Sequence, residues 1–170
     1  MVKIGILSDT HGYIDDRILH HLASCDQVWH AGDVGHIRVI ESLNQFDQVQ
    51  GVYGNIDGTN IRVRWPEHSF FEVDGCKILL IHIAGSAGRY NEKTRNLIQL
   101  HSPDILVCGH SHILKVQQDK RFNLLHINPG AAGNKGFHKV RTLILLKLNE
   151  GKPSDMKVIE LGPRSTQTVD

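Results

Sequence analysis

Apolar residues along the first half of the chain recur with two alternating periods. Val2–Leu7 is a nearly continuous apolar run that stops at the turn-forming Asp9–Gly12, which predicts a buried strand. Ile14, Ile18, Leu19 and Leu22 then fall at helical spacing and predict a helix within Ile14–Ala23. The rhythm repeats. Gln27–His30 predicts a strand running into Gly32-Asp33, Ile37–Phe46 a helix with Ile37, Ile40, Leu43 and Phe46 on one face, and Val49–Tyr53 a strand ending at Gly54-Asn55. Strand, helix and strand in alternation imply crossover units and a largely parallel sheet.

The second half reads differently. Phe70–Val73 and Lys77–Ile81 flank Asp74-Gly75, a strong short-range signal for a hairpin. A helix is predicted within Tyr90–His101, ending before Pro103, followed by strands at Ile105–Cys108, Ile113–Gln117, Asn123–Ile127, Thr142–Leu148 and Met156–Leu161. From about Gly162 to Asp170 the chain is polar and expected to fray. No repeat or linker interrupts residues 1–170, so a single α/β domain with a mixed sheet system is expected. Two facing sheets flanked by helices would accommodate all these strands, although periodicity alone leaves that open.

Composition narrows the function classes. A formal net charge of +1 and the lack of a basic run give no field favouring nucleic acid or an anionic membrane. The apolar runs are strand-sized, too short for a secretory signal or a membrane span. Cys25, Cys76 and Cys108 are odd in number, lack metal-finger spacing and sit in or beside apolar segments, so buried free thiols in a reducing cytoplasm are expected. Twelve histidines are many for 170 residues, and histidine is the commonest metal ligand among side chains, so their positions matter.

The residues able to bind metal collect where apolar runs end. Asp9 and His11 follow the first strand, Asp33 the second, Asn55 the third, His82 the Lys77–Ile81 strand, and His110 and His112 the Ile105–Cys108 strand. Carboxyl ends of parallel strands share one edge, where ligands of open α/β sheets bind, so five loops could deliver seven donors to one place. Gly12, Gly32, Gly35, Gly54 and Gly109 accompany these loops and permit close backbone approach. Carboxylate, amide and imidazole donors without thiolate suit manganese, iron, zinc, cobalt or nickel. Seven donors exceed the four of a structural zinc site, and two ions sharing a carboxylate account for the number. Singly, Asp-x-His arises by chance, Gly-Asn is an ordinary turn and His110-Ser111-His112 could be a surface pair. Their joint occurrence, in order and each after an apolar run, carries the argument.

Asp9-Thr10-His11, Gly32-Asp33, Gly54-Asn55, His82 and Gly109-His110-Ser111-His112 together resemble the marks of the calcineurin-like metallophosphoesterase superfamily. The Ser8-Asp9-Thr10-His11-Gly12 opening and Ile127-Asn128-Pro129-Gly130 resemble its small bacterial and archaeal phosphodiesterase branch, to which the retromer scaffold subunit also belongs. The resemblance implies a four-layer α/β/β/α sandwich of two mixed sheets flanked by helices. It implies two divalent metal ions, manganese first with zinc, iron or nickel as alternatives. One would be held by Asp9, His11, Asp33 and His112, the other by Asp33, Asn55, His82 and His110. The implied activity is hydrolysis of a small or nucleotide-derived phosphodiester by a bridging hydroxide attacking phosphorus in line, with Asp33, Asn55 and His110 at the reacting centre. A phosphomonoesterase with the same centre and a non-catalytic, retromer-like binding scaffold are the alternatives. Self-association into a homo-oligomer is a further expectation, without an interface read from the residues.

The chain departs from the pattern twice. Ile56 stands where many members place a histidine after Gly-Asn, which removes a proton donor to the leaving group, and Ile83 stands where Gly commonly follows the lone His. Among other residues, Arg89 is a candidate to clamp a phosphate oxygen, His36 to contact substrate, and Lys135 and His138 to rim the site. Asp57 is read as stabilising its own turn or orienting the Asn55 loop, and Asn128 as serving the turn before Pro129 or a ligand loop.

Overall fold

The computed structural model describes residues 1–165. Its strands form two five-stranded sheets and a small ribbon. In the first sheet β1 (Val2–Leu7) lies parallel to β2 (Gln27–His30), which lies parallel to β3 (Val49–Gly51). Helices α1 (Asp16–Leu22) and α2 (Ile37–Leu43) make the crossovers, and the four-residue helix α3 (Thr59–Arg62) follows β3. The second sheet opens with the antiparallel hairpin of β4 (His68–Val73) and β5 (Cys76–Ile81), turned at Asp74 and Gly75, both with positive φ as the tight turn requires. The ribbon of β6 (Gly85–Ser86) and β7 (Arg89–Tyr90) leads into α4 (Glu92–His101), and β8 (Ile105–Val107) returns parallel to β5. Next come β9 (Leu114–Asp119) and β10 (Leu124–Pro129), which complete the second sheet. The long hairpin of β11 (Val140–Asn149) and β12 (Lys152–Pro163) adds antiparallel strands to the first.

Period-two alternation sorts the strand residues into layers. Ile4, Ile6, Trp29, Ile144 and Leu146 of the first sheet meet Ile78, Leu80, Ile105, Val107 and Ile127 of the second in the central core. Their neighbours Leu7, Val28 and Leu143 face the other way and pack under α1 and α2 with Ile18, Leu22, Ile40 and Leu43. Leu79, Ile81 and Leu106 likewise face Ile98 of α4. Helix, sheet, sheet and helix make the four-layer α/β/β/α sandwich with mixed sheets, as expected. Gly5 is the helix-facing residue between Ile4 and Ile6. A Cβ there would overlap the Leu22 side chain, so its absence lets α1 lie close to the sheet.

Several boundaries differ from the periodic reading. Helix α1 starts only at Asp16, because Asp15 caps it from an extended backbone, and α2 stops at Leu43. The frayed tail proposed from Gly162 is corrected in part: Gly162 and Pro163 pair with β11, and 166–170 lie outside the described residues. Cys76 and Cys108 are buried free thiols, but Cys25 is only half-buried. No helix among the described residues is long and apolar enough to cross a membrane.

Candidate metal centre

Because β1, β2 and β3 run parallel and in register, Leu7, His30 and Gly51 end at one edge of the first sheet. β5 and β8 likewise end together in the second sheet, ahead of His82 and His110. The loops beyond these ends meet across the sandwich. Asp9, His11 and His112 bring one donor atom each to within 4.8 Å of one another, and so do Asp33, His82 and His110. Asp33 stands between the groups: Oδ2 lies 3.7 Å from His11 Nε2 and Oδ1 lies 3.2 Å from His82 Nε2. Asn55 Oδ1 lies 3.1 Å from His82 Nε2 and 2.9 Å from His110 Nδ1, so all seven sequence candidates meet in one place.

The backbone bends hard to achieve this. Asp9, His11, Asp33, His110 and His112 all have positive φ, between 48° and 69°. Left-handed backbone at a residue with a Cβ costs on the order of 1 kcal/mol, and Asp and His tolerate it better than most. Strain gathered at five clustered donors marks a site whose geometry is held by its surroundings. Two glycines allow the loops to close. A Cβ on Gly54 would overlap Asp33 Oδ1 and its backbone nitrogen, and one on Gly109 would overlap Ser8 Oγ and lie 2.7 Å from Asp9 Oδ2.

The donor set fits a hard or borderline divalent cation. His11 Nε2 and His112 Nε2 face each other at 3.2 Å, and each faces a carboxylate oxygen, the convergence expected of ligands around an ion. His82 Nδ1 donates to Ala31 O at 2.7 Å, which aims Nε2 at Asp33 and Asn55, the orientation a ligating histidine requires. Burial alone would lower the His82 pKa. The hydrogen bond to Asp33 and the negative field of Asp9 and Asp33 outweigh it and raise the value, and that field favours any cation. Burial lowers His11, which the same carboxylates only partly oppose. Cys108 is not a donor: its thiol, pushed up to about 12 by burial, faces His126 at 3.7 Å.

Supporting contacts carry residues the motif does not name. Asp57 is buried and accepts from the backbone N–H groups of Val34, Gly35 and Gly54, so it binds the Asp33 loop to the Asn55 loop. Asn128 donates to Gly109 O and accepts from Gly130 N, serving both the ligand loop and its own turn. His138 has a sharper role than rimming the site. Its Nε2 donates to Gly133 O at 2.9 Å, so its Nδ1 accepts from His112 Nδ1 at 3.2 Å, and His112 Nε2 is left with its lone pair facing Asp9 and His11. His138→Ala is expected to weaken divalent metal binding at the Asp9, His11 and His112 group roughly 10- to 100-fold. Calorimetric titration with manganese checks this, and the Asp33, His82 and His110 group should change little.

Not every candidate joins the cluster. His36 caps α2, its Nδ1 accepting from Arg38 N, and Arg89 is exposed on the ribbon opposite Ser86. Lys135 is also exposed. Neither His36 nor Arg89 lines the two cavities that border the donors, whereas Arg62 and Lys93, which no sequence motif singles out, line one of them.

His30 lies beneath the donors and sets a pH dependence of stability. Its Nδ1 accepts from Gly32 N, so Nε2 donates to Thr10 Oγ1, whose hydroxyl donates to Val34 O. Complete burial pushes its pKa from 6.5 down to about 4, against partial opposition from Asp57 and Asp9. The unfolded chain takes up this proton near pH 6.5 and the folded chain only near pH 4. Stability is therefore full above about pH 6.5 and falls on acidification, by about 3 kcal/mol at most by pH 4. Urea denaturation of the metal-free protein from pH 7.5 to 4.5 checks it, and His30→Gln should lack this share of the slope.

Residues 2–151 match the calcineurin-like phosphoesterase superfamily domain. A probable metallophosphoesterase of Mycoplasma pneumoniae is 32% identical over 163 residues, covering 92% of this chain and 96% of that protein. Among solved structures, an archaeal phosphodiesterase superposes with a TM-score of 0.75 at 21% identity, covering 93% of this chain and 99% of that one. A variant of Vps29 from Entamoeba histolytica superposes with a TM-score of 0.72 at 18% identity, covering 93% and 98%. These two likenesses speak for the fold. With the match across most of its length, the chain belongs to the calcineurin-like phosphoesterase superfamily of metal-dependent hydrolases.

Proposed function

We propose that this protein hydrolyses phosphodiesters at a centre of two divalent ions. Asp9, His11, Asp33 and His112 form one ligand set, and Asp33, Asn55, His82 and His110 the other. The observation that carries the reading is Asp33, which turns one carboxylate oxygen toward each donor group. When bound, the ions supply a water acidic enough to attack phosphorus near neutral pH and neutralise charge on the phosphate oxygens.

The chain's own residues do the rest. Asp33 holds the two groups at a fixed separation, steadied by the Ile56 N–H that donates to its Oδ1. Asn55 and His110 stand at the open side of the second group, both exposed, where a substrate phosphate can reach. Ile56, 47% exposed beside Asn55, offers no proton to a leaving alkoxide, which favours esters whose alcohol leaves unaided. The archaeal phosphodiesterase of like fold supports a diester over a monoester. The retained donor set weighs against a purely scaffolding role of the Vps29 kind.

Manganese suits the carboxylate and amide oxygens that supply half of each thiolate-free donor set, with zinc, iron or nickel as the other fits to the imidazoles. The substrate is read as a small, nucleotide-derived ester, and three unpaired cysteines suit a reducing cytoplasm. The test is turnover of bis(4-nitrophenyl) phosphate and 4-nitrophenyl phosphate by metal-free protein reloaded with manganese, zinc, nickel or iron, with the bound ions counted. Two ions per chain and faster diester cleavage are expected. Faster monoester cleavage would make the protein a phosphomonoesterase, and no turnover despite binding would end the enzymatic reading.

A further inference from the structure

Two cavities adjoin the second donor group. The first, of about 290 Å³, is bordered by Asn55 and His82 and walled by Tyr53, Arg62, Asn91 and Lys93. The second, of about 310 Å³, is bordered by His110 and includes Ala84, Ile113, Lys115 and Asn128 in its wall. Ile83 lines both.

The two differ in chemistry. In the first, Lys93 is neutralised by Glu67 at 2.5 Å. Arg62 is not: its Nε donates to Asp57 O, its guanidinium lies 4.4 Å over the Tyr53 ring, and it forms no salt bridge among the described residues. A planar cation held by its Nε and backed by an aromatic ring leaves its terminal N–H groups free for an anion. In the second cavity, Ile113 is 64% and Ile83 41% exposed, apolar surface with no covering among the described residues.

We infer that the substrate is an unsymmetrical phosphodiester, with one ester group carrying a further anionic charge for Arg62 and the other an apolar aryl or alkyl group lying against Ile83 and Ile113. This rests on the phosphodiesterase reading. A phosphate at Asn55, His82 and His110 sits at the junction of the cavities, and a diester has two ester groups to fill them. A monoester has one. Ile83, at the position where a side chain replaces the family's common Gly, is the residue the two cavities share.

Binding is measured calorimetrically on the manganese-loaded protein with phosphonates, which are not cleaved. The probes are ω-phosphonocarboxylates of two to five methylenes, each against the alkylphosphonate of equal length. At least one carboxylate is expected to bind about tenfold more tightly than its neutral counterpart, the worth of one charge-assisted pair. Arg62→Gln should remove that preference and Arg62→Lys restore part of it, which separates lost charge from lost folding. Ile113→Asn should raise the KM for bis(4-nitrophenyl) phosphate about tenfold, by loss of apolar contact. Equal binding of both probe series at every length, or a preference unchanged in Arg62→Gln, overturns the anionic arm. An unchanged KM in Ile113→Asn overturns the apolar arm. If bis(4-nitrophenyl) phosphate is cleaved while both preferences are absent, the inference fails and the phosphodiesterase reading stands. If no diester is cleaved, both fall.

Discussion

Asp33→Asn is expected to lower kcat/KM on phosphodiesters by a factor on the order of 10³, comparable with loss of a main electrostatic group. The two donor groups should not suffer equally. Oδ1 accepts from Ile56 N at 3.1 Å and faces His82, so the asparagine keeps its oxygen on that side. The amide nitrogen is then placed where Oδ2 stood, toward His11. A neutral N–H₂ cannot ligate a cation, so the Asp9, His11 and His112 group should lose its ion first. Two-site calorimetry checks this: the Asp33→Asn protein should bind one ion with weakened affinity instead of two. Folding should survive, because the asparagine keeps the oxygen that accepts from Ile56 N, although the charge that His82 and the Ile56 N–H stabilise is lost. A cooperative unfolding transition in chelator with only a modestly lowered Tm, together with loss of the second ion, separates a damaged centre from a damaged fold. Two ions and full turnover would refute the assignment of Asp33.

Much of this site is legible in the sequence because each donor follows an apolar run. The runs are strands, and parallel strands in register place their ends together. What the sequence conceals is conformational or tertiary. No residue pattern announces that five donors sit at positive φ, since Asp and His occur in many loops with ordinary φ. His138 reaches His112 across 26 positions, by way of a loop whose course depends on Gly133 packing against the backbone of Asp9 and Thr10. Arg62 lies on a four-residue helix, too short to show a period. The apolar spacing overruns both helices for a related reason. Ile14 and Phe46 pack against the same core as α1 and α2 but from the flanking loops, so the apolar spacing continues past the hydrogen-bonded turns. The edge strands β9 and β12 extend beyond the ranges their periodicity predicts, because both are largely exposed and polar residues blur their alternation.

Asp57→Ala carries the largest expected cost in stability. The side chain is 3% exposed and accepts from Val34 N at 3.0 Å, Gly35 N at 2.7 Å and Gly54 N at 2.7 Å. Alanine would leave three N–H groups without their acceptor, each worth about 1–3 kcal/mol when stranded. Relaxation and water entry offset part of this, so a net loss of about 4 kcal/mol is expected, read from the urea midpoint at pH 7.5. The position next to Asp33 and Asn55 gives the change a second signature. Val34 and Gly54 are the chain neighbours of those donors, so releasing them loosens both loops. Ion affinity should fall by a further 10- to 100-fold even where the variant is fully folded. Asp57→Asn discriminates the causes. Its carbonyl oxygen can keep part of the acceptor geometry while its N–H₂ faces other N–H groups, so it should recover some stability and less of the ion affinity. A plain turn-stabilising carboxylate would show the stability loss without the metal effect. Loss of both from a residue that ligates nothing is what a shared anchor of the two loops requires.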